Sequence, residues 1–150
     1  MLISGRRLGL DYGDTRIGVA MSDPSSIVVS PLVTIMNDEA NDSVAQISLL
    51  AHEHDVAVVY VGLPLHLSGV EGQSAIKARQ FAKELRAILH DDIEIRLIDE
   101  RLSTSSALRE AREAGKNLTK DNVDQWAAVA ILEAALNTER LGGQLAGDAL

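Results

Sequence analysis

Apolar residues alternate along some stretches of the chain and recur at helical spacing along others. Arg7 to Asp11 and Arg16 to Ser22 read as two strands, and the polar stretch Tyr12-Gly13-Asp14-Thr15 between them predicts a hairpin. Ile27 to Ile35 supplies a third strand, in which Pro31 lacks an N–H donor and so predicts an edge position or a bulge. Val44, Ile47 and Ala51 fall at helical spacing within Asp42 to His54, behind Asp42 as a suitable N-cap. Val56 to Val61 is a continuous apolar run, the mark of a strand buried on both faces. A loop runs from Gly62-Leu63-Pro64 to Gly72. Ala78, Phe81, Ala82, Leu85, Ile88 and Leu89 then lie along one face of an amphipathic helix. Ile93 to Ile98 alternates as a strand, Ser103 to Ala114 predicts a helix stopped by Gly115, and a last helix runs from about Asp121 to Arg140. The Gly- and Ala-rich tail, residues 142–150, is expected to fray.

Three strands precede a helix, a strand, a helix, a strand and two helices. This order predicts an α/β domain with a mixed five-stranded sheet, antiparallel in its N-terminal three strands and parallel thereafter, flanked by helices. At 150 residues, one domain spanning 1–150 is expected. A 46% hydrophobic share supports a buried core, built mostly from aliphatic residues because aromatics make up only 3%.

With no cysteine, disulfides, thiolate metal sites and a cysteine nucleophile are excluded. No apolar run approaches the roughly 18 residues of a membrane span, so no membrane partner is expected. The start MLISGRRLGLDYG turns polar too soon for a secretory signal, so a cytoplasmic location is expected. The formal net charge of −8 speaks against broad, non-specific nucleic-acid binding. Bound cations partly cancel the charge of an acidic metal site, however, and a local basic patch can sit on an acidic protein.

Three acids have positions that suit a shared site. Asp11 ends the first strand, Glu100 follows the last, and Asp124 lies in the first turn of the final helix. If the first and last strands run parallel in one sheet, Asp11 and Glu100 emerge at the same carboxyl edge, where open α/β sheets bind ligands. Three carboxylates in one cleft repel one another unless cations sit between them. Their oxygens suit Mg²⁺ or Mn²⁺, a pair of which can activate water and stabilise the leaving oxygen of a phosphodiester. Each acid also has a plainer role available. Asp11 can serve the turn, Glu100 can pair with Arg96 or Arg101 at the surface, and Asp124 can complement the helix N-terminus. Asp14, Asp23 and Asp99 compete for a ligand role, whereas the four histidines show no zinc spacing.

Four segments carry a family resemblance: LGLDYGDTRIGVAMSD from Leu8 to Asp23, VVYVGLPLHLSGVEG from Val58 to Gly72, IRLIDERLST from Ile95 to Thr104, and KNLTKDNVDQWAAVAIL from Lys116 to Leu132. Together, in this order, they resemble the YqgF/RuvX family, described as Holliday junction resolvases or pre-16S rRNA nucleases. The resemblance implies an RNase H-like fold and the places of the family's acidic triad for Asp11, Glu100 and Asp124. It also implies a divalent cation and a structured nucleic-acid substrate. One departure stands out. Relatives tend to carry an Asn and an acidic residue just after the Gly-Leu-Pro turn, where this chain has Leu65-His66-Leu67-Ser68-Gly69.

Around the acids, Arg16 and Arg101 are candidates to reach a phosphate. Arg109, Arg112, Lys116 and Lys120 form the only dense basic stretch, a candidate track for a nucleic-acid backbone. The plainer alternative is an ordinary exposed helix face with Glu110 and Glu113 interleaved. Gly13 and Gly18 suit the hairpin backbone. Trp126, without aromatic neighbours, reads as a packing residue rather than a base-stacking platform.

The expected function is a metal-dependent endonuclease acting on structured RNA such as the pre-16S rRNA end, with a DNA four-way junction as the alternative substrate. A resolvase needs a symmetric dimer, and monomer and homodimer stay open. A non-catalytic nucleic-acid-binding module is the alternative of another class. The hairpin also resembles the phosphate loop of actin-like ATPases, but those need two such domains.

Overall fold

In the computed structural model, residues 3–38, 40, 42–66, 68–102 and 120–150 are described. The elements are β1 (Arg6–Tyr12), β2 (Arg16–Ser22), β3 (Val29–Met36), α1 (Ser43–Glu53), β4 (Val56–Leu63), α2 (Gln73–Ile88), β5 (Glu94–Asp99), a 3₁₀ turn (Glu100–Leu102), α3 (Lys120–Gly142) and β6 (Asp148–Ala149). The helix expected over Ser103 to Ala114 lies outside the described residues, as do Arg109, Arg112 and Lys116.

The strands form one mixed sheet in the order β3-β2-β1-β4-β5-β6. β1 is antiparallel to β2 and parallel to β4, β2 is antiparallel to β3, and β4 is parallel to β5. This is the expected mixed architecture with one strand more. Pro31 sits on edge strand β3, at a register shift opposite β2, so it occupies both of the positions that suit its missing donor. β3 starts at Val29 rather than Ile27. The Asp23 carboxylate instead accepts the N–H groups of Ile27 and Val28, at 2.6 and 2.9 Å, and folds them into the preceding turn.

The period-2 alternation of the strands makes two cores. Leu8, Leu10, Ile17, Val19, Val59, Val61, Ile95 and Leu97 face α1 and α2. Ala20, Val58, Tyr60 and Ile98 face α3. The apolar run of β4 thus feeds both cores, as a strand covered on each side must. Asp42 caps α1 by accepting the Ala45 N–H at 3.0 Å. Among the described residues no helix is long and apolar enough to cross a membrane.

The tail, expected to fray, makes contacts with the sheet in this structure. The Ala146 N–H donates to the Tyr60 hydroxyl at 3.1 Å, and Arg96 donates to the carbonyls of Ala146 and Gly147 at 2.8 and 2.7 Å. Ala146 is buried, and β6 pairs antiparallel with β5. Tyr60 in turn donates to Glu139 at 2.6 Å, within a buried network that includes Arg7. The anchors lie on strands far away in sequence, so the local Gly and Ala content carried no sign of them.

Candidate active site

The carboxyl ends of β1, β4 and β5 meet beneath the first turns of α3. In the β1–β2 ladder Asp11 pairs with Gly18. In the β1–β4 ladder Leu10 pairs with Val61, which brings Asp11 level with Gly62. Gly18, Asp11 and Gly62 therefore form a row across three neighbouring strands. The row faces α3, because β1 shows Leu8 and Leu10 to the other core and Gly9, two residues before Asp11, packs under Ala128 and Leu132.

The two glycines make room for the other two acids. A Cβ at Gly18 would overlap the backbone carbonyl of Asp124, so the helix rests directly on the strand there. Gly18 is needed for this close approach, not for the hairpin turn. A Cβ at Gly62 would lie 2.9 Å from Cγ and Oε1 of Glu100 and 2.6 Å from Cδ1 of Ile131. Glu100 thus folds from the 3₁₀ turn back over the end of β4. Asp11 and Glu100 are 7% and 9% exposed, a depth at which carboxylates are uncommon without charged or polar company.

Asp124 is the fifth residue of α3, beyond the terminal turn where the helix dipole acts most strongly. Its Oδ2 accepts from Nε of Arg16 at 2.8 Å. Arg16 and Gly18 are two residues apart on β2 and so share the α3 face. The ion pair spans the outer rim of the row, while Asp11 and Glu100 sit deeper.

The competing acids have other partners. Asp14 pairs with Lys77 at 3.1 Å, and Asp23 holds its turn. Asp99 accepts from Nε of Arg101 at 3.0 and 2.9 Å and from Nη2 at 2.6 Å, and this bonding keeps its carboxyl below the ordinary carboxylate value. Arg101 also lies beside Gly69, 3.6 Å from where a Cβ would stand, and so links the segment after β4 to the site's rim. Arg96 turns to the tail and to Glu94. Within the departing loop, the His66 ring packs against Gly72. Trp126 is 40% exposed, so more than half of its surface is covered.

Of the expected substrate contacts, Arg16 and Arg101 reach this edge. Lys120 starts α3 as described, and Arg112 and Lys116 lie outside the described residues. Among the described residues no three Asp, Glu or His side chains form a group that could hold a metal ion, and Asp124 is turned toward Arg16. The donor chemistry still fits a hard divalent cation, because the three acids supply carboxylate oxygens.

The profile of RuvX, described as Holliday junction resolvase, matches residues 5–138. A protein of Streptomyces avermitilis named "Putative pre-16S rRNA nuclease" is 39% identical over 146 residues, covering 96% of this chain and 93% of its own. A protein of Nocardioides sp. with the same name is 44% identical over 152 residues, covering 97% and 96%. Among solved structures, Thermus thermophilus RuvC in complex with a Holliday junction substrate aligns with a TM-score of 0.58 at 12% identity, over 97% of this chain and 99% of that one. A second RuvC structure from the same organism gives 0.56 at 13% identity. At these identities the likeness is one of fold, that of RuvC.

Proposed function

The chain belongs to the RuvX Holliday junction resolvase family, and from that premise we propose that it is a metal-dependent endonuclease for structured nucleic acid, working in the cytoplasm on the pre-16S rRNA end. The observation that carries the reading is the row in which Asp11 stands between Gly18, overlain by Asp124, and Gly62, overlain by Glu100. Three acids from distant segments converge on one sheet edge, and two glycines clear the space they need. The name shared by the full-length relatives favours ribosomal RNA as substrate.

In this reading Asp11 is the central ligand, held rigidly in β1, and Glu100 and Asp124 complete the site from either side. Bound Mg²⁺ or Mn²⁺ would supply charge neutralisation and activation of water. The water gives up a proton to solvent as its oxygen joins phosphorus, the bond to the leaving oxygen breaks, and that oxygen takes up a proton. Arg16 and Arg101 hold the flanking phosphates by charge-assisted hydrogen bonds. The family description and the fold shared with RuvC favour a second substrate, the DNA four-way junction.

One assay tests both. Purified protein is given a pre-16S rRNA end, a DNA junction and a plain duplex under Mg²⁺ or Mn²⁺, beside Asp11→Asn. Cleavage of one structured substrate, lost in Asp11→Asn with the fold intact, is expected. Cleavage by Asp11→Asn at the parent rate overturns the site.

A further inference from the structure

We infer that the Arg16–Asp124 ion pair is the closed state of the site: Arg16 holds Asp124 away from the cation-binding group until a phosphate of the substrate takes the guanidinium. The inference rests on the metal-site reading above and adds a regulatory step to it. Three observations carry it. Asp124 is the most exposed of the three acids, with 21% of its side chain accessible, and its partner Arg16 is similarly open at 26%. Both can therefore be reached from solvent, unlike Asp11 and Glu100 beneath them. The pair is held by one hydrogen bond, 2.8 Å from Nε of Arg16 to Oδ2 of Asp124, and so engages one edge of the guanidinium. Finally, the pair lies at the edge of the row, since the Asp124 backbone rests over Gly18, two residues from Arg16 on the same strand.

The exchange conserves charge. In the closed state a cation and an anion neutralise each other within the protein. In the open state Arg16 pairs with a phosphodiester anion and Asp124 pairs with the divalent cation. A phosphate offers the guanidinium two oxygens in place of one and suits its fork geometry. An ion pair this accessible holds its partners by a factor of only about two to five, so a phosphate and a divalent cation acting together can displace it. Cation and nucleic acid then strengthen each other's binding, as linkage requires. Substrate thus shifts the site toward an open form that is already partly populated without it.

The test is a double-mutant cycle read by Mn²⁺ affinity, with no nucleic acid present. Mn²⁺ binding is titrated by electron paramagnetic resonance for the parent protein, Arg16→Ala, Asp124→Asn and the double variant. Arg16→Ala is expected to bind Mn²⁺ about two- to fivefold more tightly than the parent, the factor that the pair withholds. In the Asp124→Asn background the same replacement is expected to bring no comparable gain. Removing a positive charge in general would raise affinity equally in both backgrounds. Equal gains, or no gain in Arg16→Ala, overturn the switch. Arg16→Gln gives the same reading should Arg16→Ala lose its cooperative melt. If instead the parent binds no Mn²⁺, or Asp11→Asn binds it as the parent does, the metal-site reading fails and the switch falls with it.

Discussion

Glu139 grips Arg7 through both carboxylate oxygens, at 2.8 Å to Nη2 and 3.3 Å to Nε, with the two side chains only 3% and 2% exposed. Arg7 also donates to the carbonyls of Gly5 and Ile3, at 2.7 Å each, and Glu139 accepts from Tyr60. The pair joins β1 to the far half of α3, the helix whose near half carries Asp124. Removing one partner strands a buried charge. Glu139→Leu or Arg7→Met is expected to cost about 3–5 kcal/mol. The double replacement should cost clearly less than the sum. Urea denaturation of the four proteins checks this, and strictly additive losses would contradict it.

Tyr60 makes the same network sensitive to alkali. Burial, reinforced by the hydrogen bond to Glu139, raises its hydroxyl well above the ordinary value of 10.0. The folded state keeps this proton at pH values where the unfolded chain has lost it. The contribution is therefore complete below pH 10 and declines as pH rises beyond that toward the folded value. Tyr60→Phe should be less stable at neutral pH, by about 1–3 kcal/mol for the groups left without a partner, but should lose less of its remaining stability in alkali. Thermal melts across neutral to alkaline pH check the two slopes. Parallel curves would mean that Tyr60 does not titrate apart from the unfolded chain.

The site glycines predict a separation of stability from activity. At Gly18 an added methyl meets the Asp124 backbone, which cannot move without lifting α3. Gly18→Ala is expected to cost about 1–3 kcal/mol as overpacking, and to abolish cleavage because Asp124 leaves with the helix. At Gly62 the methyl meets side-chain atoms, Cδ1 of Ile131 and the carboxyl end of Glu100, and these can turn aside. Gly62→Ala should therefore melt closer to the parent yet cleave poorly. A Gly62→Ala protein with full activity would remove Glu100 from the site.

How far the sequence reached follows the range of the forces involved. Val56–Val61, the Asp42 cap and the placement of Pro31 are local statements about burial and hydrogen bonding, and the structure contains all three. The gathering of Asp11, Glu100 and Asp124 at one edge was legible from strand order and from the family segments around them. The pairing of Arg16 with Asp124, 108 positions away, was not, because no periodicity records a contact between a strand and a distant helix. The tail hid for the same reason: Tyr60 and Arg96, which fasten it, read only as strand residues. Gly18 read as serving the hairpin backbone. Its real constraint arrives from α3.

Truncation after Gly143 measures what the tail contributes. It removes Ala146 from the core on the α3 face, the two carbonyls that Arg96 holds, the donor to Tyr60, and β6. Arg96 and Tyr60 would regain water as partners, so the cost is mainly the lost apolar contact and the weakened polar network. A loss of about 1–3 kcal/mol is expected, the range for buried polar groups left with imperfect partners. The change should be felt along β5, whose outer edge β6 covers. Hydrogen exchange at the Ile95 carbonyl's partner, the Leu150 N–H at 3.1 Å, reports the tail in the intact protein. Slow exchange there, matched to the β5 amides, is expected of a segment that unfolds with the domain. Exchange at the free-peptide rate would return the tail to a frayed end.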